Sequence, residues 1–291
     1  MTPDPAALAA QCRILPGKAF RLDDHDPANK LGLTKPDAEA MLDAGAKRLE
    51  ALHERLYAVR TWSVLLVLQG MDASGKDGAI KRVAAGLNPQ GLRVVSFAAP
   101  SSLELSHDFL WRIHAALPPR GHVGIFNRSH YEDVVAPRAD PSILPRLGIP
   151  ASLLGPALWS ERLGAITAFE AYLAQQGMAL AKVFLNISRG EQHKRLLARL
   201  DDPGKEWKFD PSDISARDRW AEHRTAYEAA ITATATNAAP WYVVPADSKP
   251  IARAMVQSIL LTTLEGLDLS RPTPSAERLA AMTAARQHLT T

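Results

Sequence analysis

The sequence predicts an α/β fold in which helices cover both faces of a central parallel sheet. Two observations carry this. Strand-sized apolar runs alternate along the chain with longer stretches of helical periodicity. Those runs are also continuously apolar, as in Val64–Leu68, where a sheet with one wet face would alternate polar and apolar residues.

Residues 1–33 are rich in proline and read as an irregular arm laid over the surface. A helix is signalled from Thr34: Thr34 can cap, Asp37 follows three residues on, and Met41, Leu42, Leu49, Leu52, Leu56 and Val59 mark one side. The run TWSVLLVLQG is the first strand and stops at Gly70. Further strands are expected at 92–97, 123–127, 181–186 and 241–244. Helices are expected near 104–117, 152–176, 189–200, 215–236 and 249–265. One unit over 34–270 follows, with a lid at about 189–213 and a peripheral, partly helical tail over 271–291.

No apolar run approaches the roughly 20 residues that a membrane-spanning helix needs, so no membrane partner is expected. The N-terminus carries an early Asp4 and lacks a basic start with an apolar block, unlike a secretory signal. The single cysteine, Cys12, excludes an intrachain disulfide and a cysteine-based zinc cluster. A reducing, cytoplasmic setting is expected. The net charge of +3 is only mildly basic, and the Lys and Arg residues alternate with Asp and Glu instead of forming a block. This suits a polyanionic ligand without indicating nucleic acid, and no nucleic-acid partner is expected.

The strongest chemical signal is Gly70-Met-Asp-Ala-Ser-Gly75-Lys76 between an apolar strand and a helix. In G-x-x-x-x-G-K, backbone amides, here including those of Ala73 and Ser74, curl around phosphate oxygens. The helix N-terminus adds its positive dipole end, and Lys76 adds a mobile charge. Lys81 and Arg82 on the same helix are counted with the phosphate-binding cations. Asp77 replaces the usual Ser/Thr whose hydroxyl holds magnesium, which disfavours an ordinary ATPase or GTPase loop. Asp72, inside the loop, is placed to carry the metal. Asp77 is counted with the phosphate- and nucleotide-binding positions, and a simple helix cap is its other reading.

A second constellation, HVGIFNRSHYEDV, puts Asn127 and Arg128 at the carboxyl edge of a strand, where ligands bind in open α/β sheets. Arg128 is expected to bridge donor and acceptor phosphates. Glu132 and Asp133 are expected to hold the acceptor, water or metal, with helix N-terminal capping as the competing reading. His130 reads as a packing residue, since transfer to an ionised phosphate needs no strong base. In a third segment, RGEQHKRLLARLDDPGKEWKFDPSD, Arg195 and Arg199 lie one helical turn apart and Lys205 and Lys208 sit in the loop beyond. Such a segment can bring cations over a transferring phosphate and exclude water. Taken alone, it reads better as an exposed amphipathic helix hairpin.

Together GMDASGKDGAIKRV, FNRSHYEDV, RLDDPGKEWKF and APWYVVPADSKPIAR resemble the polyphosphate kinase 2 family, from about Ala38 to Leu267. The resemblance implies a three-layer α/β/α P-loop kinase fold with a central parallel sheet and a helical lid. It also implies magnesium, inorganic polyphosphate as donor, a nucleotide (AMP, ADP or ATP) as partner, and a homo-oligomer. The family's loop aspartate, loop lysine and second-motif arginine fall on Asp72, Lys76 and Arg128. Many members carry Asp where this chain has Asn127, and Asn-Arg-Ser-His-Tyr-Glu resembles the class III branch, which acts on both AMP and ADP. With one carboxylate fewer, the metal assignment rests on Asp72, with Asp133 as the second candidate. The expected reaction is reversible transfer of a terminal polyphosphate phosphoryl to AMP or ADP. The alternatives are an ATP-dependent monophosphate kinase of thymidylate-kinase type, which Asp77 disfavours, and a non-catalytic polyanion-binding module, which would need neither Asp72 nor a lid.

Overall fold

The computed structural model describes residues 3–204, 206–270 and 274–290. In chain order its elements are α1 (Pro5–Cys12), α2 (Lys35–Val59), β1 (Ser63–Gln69), α3 (Lys76–Ala84), β2 (Leu92–Ser96), α4 (Ser102–Leu105), α5 (Trp111–Ala116), β3 (Val123–Asn127), α6 (Glu132–Ala139), α7 (Leu158–Gln175), β4 (Met178–Asn186), α8 (Arg189–Leu200), α9 (Pro211–Asp218), α10 (Trp220–Thr234), β5 (Trp241–Pro245), α11 (Lys249–Glu265) and α12 (Ala276–Thr290). Five strands form one sheet in the order β2-β3-β1-β4-β5, and every pairing is parallel.

β1 lies at the centre and is buried along its whole length. Its side chains alternate between two cores. Val64, Leu66 and Leu68 join one, with residues of α2 and α11, and Leu65 and Val67 join the other, with Ile113, Phe126 and Leu173. That is the three-layer arrangement, and it explains why β1 reads as an unbroken apolar run. α2 starts at the expected capping box: Thr34 Oγ1 accepts from the Asp37 amide at 3.3 Å, and Asp37 Oδ2 accepts from the Thr34 amide at 2.8 Å. α2 then packs on α11 closely at Gly45, where an added Cβ would fall 2.1 Å from Gln257 Oε1.

The arm is irregular only beyond its first helix. Asp4 caps α1, Pro5 occupies its first turn, and Leu8, Ala9 and Cys12 are buried. Proline at the start of a helix reads as a breaker only when the helix behind it is overlooked. Beyond α1, Arg13 forms an antiparallel bridge with Tyr242 along the edge strand β5. The amide of Leu22 donates to Glu228 Oε1 on α10, Asn186 Nδ2 donates to the His25 carbonyl, and the Asp247 amide donates to the Pro27 carbonyl. The arm therefore closes one sheet edge and ties its carboxyl end to α10.

Other boundaries shift for local reasons. The helix expected over 104–117 is divided into α4, with its own Ser101–Glu104 capping box, and α5, which starts after Asp108 accepts from the Leu110 amide. The helix expected from 152 starts only at Leu158, since Pro141–Arg146 and Ala151–Leu153 are 3-10 turns. The stretch 215–236 is two helices, the first capped by Asp210. β4 begins at Met178, paired with Ser63 of β1. The tail helix α12 buries none of its residues.

Candidate active site

The phosphate loop runs from the end of β1 into α3. Its turns need backbone angles that most residues avoid: φ is +149° at Gly70, +61° at Ala73 and +107° at Gly75. At Gly70 a side chain is also excluded by contact, since a Cβ would lie 2.8 Å from the Leu185 carbonyl. Lys76 begins α3 and folds back over the loop, its Nζ donating to the carbonyls of Gly70 at 2.7 Å and Met71 at 3.3 Å. Burial, reinforced by the nearby Arg128 charge, lowers its pKa from 10.5 to about 8. Ser74 Oγ is buried and has no hydrogen-bond partner among the described residues.

Arg128 follows β3 directly and takes a left-handed conformation, φ +63°, with its amide bonded to the Leu68 carbonyl of β1. This turns the side chain toward the loop. Arg128 Nη2 lies 2.5 Å from Asp72 Oδ1, and Nη1 lies 3.2 Å from Glu132 Oε2. The two carboxylates, Glu132 first, hold the guanidinium pKa above its ordinary value despite burial. Asn127 Nδ2 donates to Asp77 Oδ1 at 2.9 Å, so the two positions where this chain departs from the common patterns bond each other. Asp72, Lys76, Asp77, Asn127, Arg128 and Glu132 thus meet at the carboxyl edge of β1 and β3. His130 is buried, with its Nε2 3.2 Å from Glu170 Oε1, as a packing residue would be.

Several expected phosphate ligands do other work. Arg195 is buried and donates to four carbonyls: Ala73 and Ser74 in the loop, both at 3.0 Å, Ala246 at 2.7 Å and Asp247 at 3.0 Å. Its Nε bonds Glu191 at 2.8 Å, so it braces the back of the loop. Arg199 pairs with Asp213 of α9 at 2.8 Å. Arg82 turns away from the loop onto α2, 2.5 Å from Asp43, and Lys81 is exposed on the same helix. Asp133 is buried against Arg112 at 2.9 Å, and Arg162 donates to its carbonyl at 2.6 Å. Both candidate carboxylates are paired with an arginine, but Asp133 is the more buried of the two and lies away from the loop, so Asp72 is the better placed to meet a metal. Lys205 and the side chain of Lys208 lie outside the described residues.

Three contributors escape the sequence reading. Gln192 of α8 donates to the Asp72 carbonyl at 3.0 Å and accepts from Arg217 of α9 at 2.8 Å, joining both helices to the loop. Gln69, the last residue of β1, is buried behind the site. A cavity of about 480 Å³ is lined by Phe109, Arg112, Asp133, Leu147, Pro150 and Arg162 among others, so it reaches the second motif through Asp133. The guanidinium of Arg162 lies over the Phe109 ring, 4.8 Å from its centre. No pattern within one segment announces this cavity, because three separate stretches of chain build it.

The profile of the family described as polyphosphate kinase 2 matches residues 32–272. The chain is 42% identical over 257 residues to an ADP-polyphosphate phosphotransferase of Rhodopseudomonas palustris, covering 88% of this chain and 89% of that one. It is 43% identical over 265 residues to an AMP/ADP-polyphosphate phosphotransferase of Meiothermus ruber, covering 90% and 95%. Its structure superimposes on the crystal structure of polyphosphate kinase 2 from Arthrobacter aurescens with a TM-score of 0.87, at 39% identity and 98% coverage of both chains. The chain belongs to the polyphosphate kinase 2 family.

Proposed function

We propose that the protein transfers the terminal phosphoryl group of inorganic polyphosphate to ADP or AMP, reversibly and with magnesium. The observation that carries this reading is the convergence of Lys76, Arg128 and Asp72 on one phosphate-binding edge, with Asp77 where an ordinary ATPase loop has a hydroxyl. An oxygen of the acceptor's terminal phosphate attacks the terminal phosphorus of polyphosphate. The bond to the next phosphate breaks, and the chain leaves one unit shorter. The loop amides and Lys76 bind phosphate oxygens, and Arg128 offsets charge on the group in transfer. α8 and α9 serve as the lid that keeps water out.

The donor set suits magnesium. Among the described residues no cluster of three or more His, Cys, Asp or Glu forms a protein-only metal cage. Magnesium needs none, since it takes one or two carboxylates and completes its shell with phosphate and water. Asp72 supplies that carboxylate, and magnesium bound there would neutralise phosphate charge. The cavity beside Arg112 and Phe109 is assigned to the nucleoside of the acceptor: its size suits a small-molecule site, and it pairs apolar walls with a few fixed polar groups. No helix among the described residues is long and apolar enough to cross a membrane, and a cytoplasmic homo-oligomer remains part of the proposal.

The test is nucleotide formation by purified protein from polyphosphate and ADP or AMP with no ATP supplied. ATP or ADP should form in a magnesium-dependent reaction. Product formed only when ATP is the donor to a monophosphate would establish the thymidylate-kinase type instead.

A further inference from the structure

Gln69 is fully buried at the end of β1, one residue before the phosphate loop, and pairs in the sheet with Phe184 of β4. Its amide has one orientation that gives every atom a complementary partner. In it, the nitrogen donates to Glu132 Oε1 at 2.9 Å and to the Tyr227 hydroxyl at 3.2 Å. The oxygen accepts from Ser129 Oγ at 3.0 Å and from the Ser129 amide at 3.2 Å. Ser129 Oγ in turn accepts from the Tyr131 amide at 3.3 Å. One side chain thus bonds both flanks of the segment that begins with Arg128.

We infer that Gln69 is a positioning residue for phosphoryl transfer: it holds the Glu132 carboxylate, and through it the Arg128 guanidinium, in register with the phosphate loop. Arg128 has a long, half-exposed side chain that rotates freely unless its head is held. Its two anchors are Asp72 and Glu132. Glu132 spends one oxygen on Arg128 and the other on Gln69, so the amide fixes the plane in which the carboxylate meets the guanidinium. Because Gln69 and Gly70 are consecutive, the same residue that bonds the second motif leads directly into the loop. The Tyr227 contact brings α10 into the same arrangement.

The inference rests on the phosphotransfer reading above, and wild-type protein assayed in parallel separates the two. A wild type without polyphosphate-dependent activity refutes that reading, and an active wild type leaves Gln69 to be judged alone. Gln69→Met keeps the length of the side chain and removes its polar atoms. Turnover should fall about 10- to 100-fold, the loss expected of a hydrogen bond to a charged group, with KM for the nucleotide changed less than about threefold. In a Glu132→Ala background the same change should cost less than about twofold, because the carboxylate it positions is gone. A purely structural role predicts equal losses in both backgrounds together with a lowered melting temperature, and that result overturns the inference. Should Gln69→Met not fold, Gln69→Glu decides. It keeps the shape and sets a carboxylate against Glu132, so turnover should fall at least as far. Wild-type turnover in Gln69→Glu would likewise overturn the inference.

Discussion

Arg128 Nη2 and Asp72 Oδ1 lie 2.5 Å apart across the mouth of the site, one from the end of β3 and the other from the phosphate loop. The pair is partly exposed, so it contributes little to stability on its own account. Its consequence is geometric. Asp72 holds the guanidinium over the loop before any phosphate arrives, and Lys76 rests on the loop's own carbonyls meanwhile. Charges placed in advance need little rearrangement when the phosphoryl group moves.

Asp72→Asn keeps the shape of that contact and removes its charge. Turnover should drop about a hundredfold to a thousandfold, the range seen when one preorganised group is lost elsewhere. The response to magnesium should flatten as well. The melting temperature should hold, since Asp72 sits at the open edge of the sheet. Rates measured across a magnesium titration decide the point, and near-normal rates at ordinary magnesium would move the metal to another carboxylate.

Lys76 makes a prediction about pH. Its pKa near 8 means that the ligand-free protein begins to lose this charge as pH rises through 8. Affinity for polyphosphate should therefore be full below that point and fall above it, by up to about tenfold per pH unit, with a proton taken up on binding. Stability should respond in the opposite sense. The unfolded chain holds the lysine proton to about 10.5, so between 8 and 10.5 it binds more protons than the folded state, and stability rises with pH. Lys76→Met should erase both trends relative to wild type. Calorimetric titration in two buffers of different ionisation enthalpy reads the first, and urea melts read the second.

What the sequence disclosed and what it concealed divide along one line. The loop and its lysine, the placement of Arg128 after a strand, the capping box of α2 and both ends of α11 were legible because each depends on neighbours in the chain. The surroundings of Arg195 are concealed for the opposite reason. Its spacing from Arg199 suggests cations over a phosphate, but its partners are carbonyls 121 and 51 residues away for Ser74 and Ala246. The partner of Asp133 is hidden likewise, since Arg112 lies 21 residues earlier beyond an intervening strand. Gln69 looks like the polar end of an apolar strand until Glu132 and Tyr227 are brought beside it. α1 is masked in the sequence by the prolines around its start.

Arg195→Lys should behave almost as badly as Arg195→Ala. A guanidinium reaches two pairs of carbonyls at once, from the loop and from the end of β5, while an ammonium is a compact point charge on a flexible stem. Removing the fork leaves buried loop carbonyls unpaired, a cost of about 1–3 kcal/mol for each group left so. The loop should loosen, raising KM for polyphosphate and lowering turnover together. Equal activity in wild type and Arg195→Lys would show that charge alone suffices there.

Behind the site, Lys182 of β4 and Glu170 of α7 form an ion pair with almost no exposure to solvent. All three Nζ donors are used: Glu170 Oε2 at 2.5 Å, the Thr234 carbonyl at 2.8 Å and the Tyr131 hydroxyl at 3.1 Å. Glu170 Oε1 takes the Tyr131 hydroxyl at 2.9 Å and faces His130 Nε2. Burial pushes the Glu170 carboxyl up, but Lys182 and His130 outweigh it and leave the pKa below its usual value. Lys182→Met should destabilise by about 3–5 kcal/mol, because it strands a buried carboxylate. Glu170→Leu combined with Lys182→Met should recover much of that loss, since no charge is then left in the core. Urea unfolding of the three variants measures both effects. Acid adds an independent check on the sign. A carboxyl depressed in the folded state contributes stability at neutral pH, and that contribution is lost as pH falls through the folded value. The gap between wild type and the double variant should therefore shift against wild type below about pH 4.5, the ordinary value for this carboxyl. A Lys182→Met protein within about 1 kcal/mol of wild type would mean that Glu170 is neutral in the fold, and the network would then be built on a proton instead of a charge.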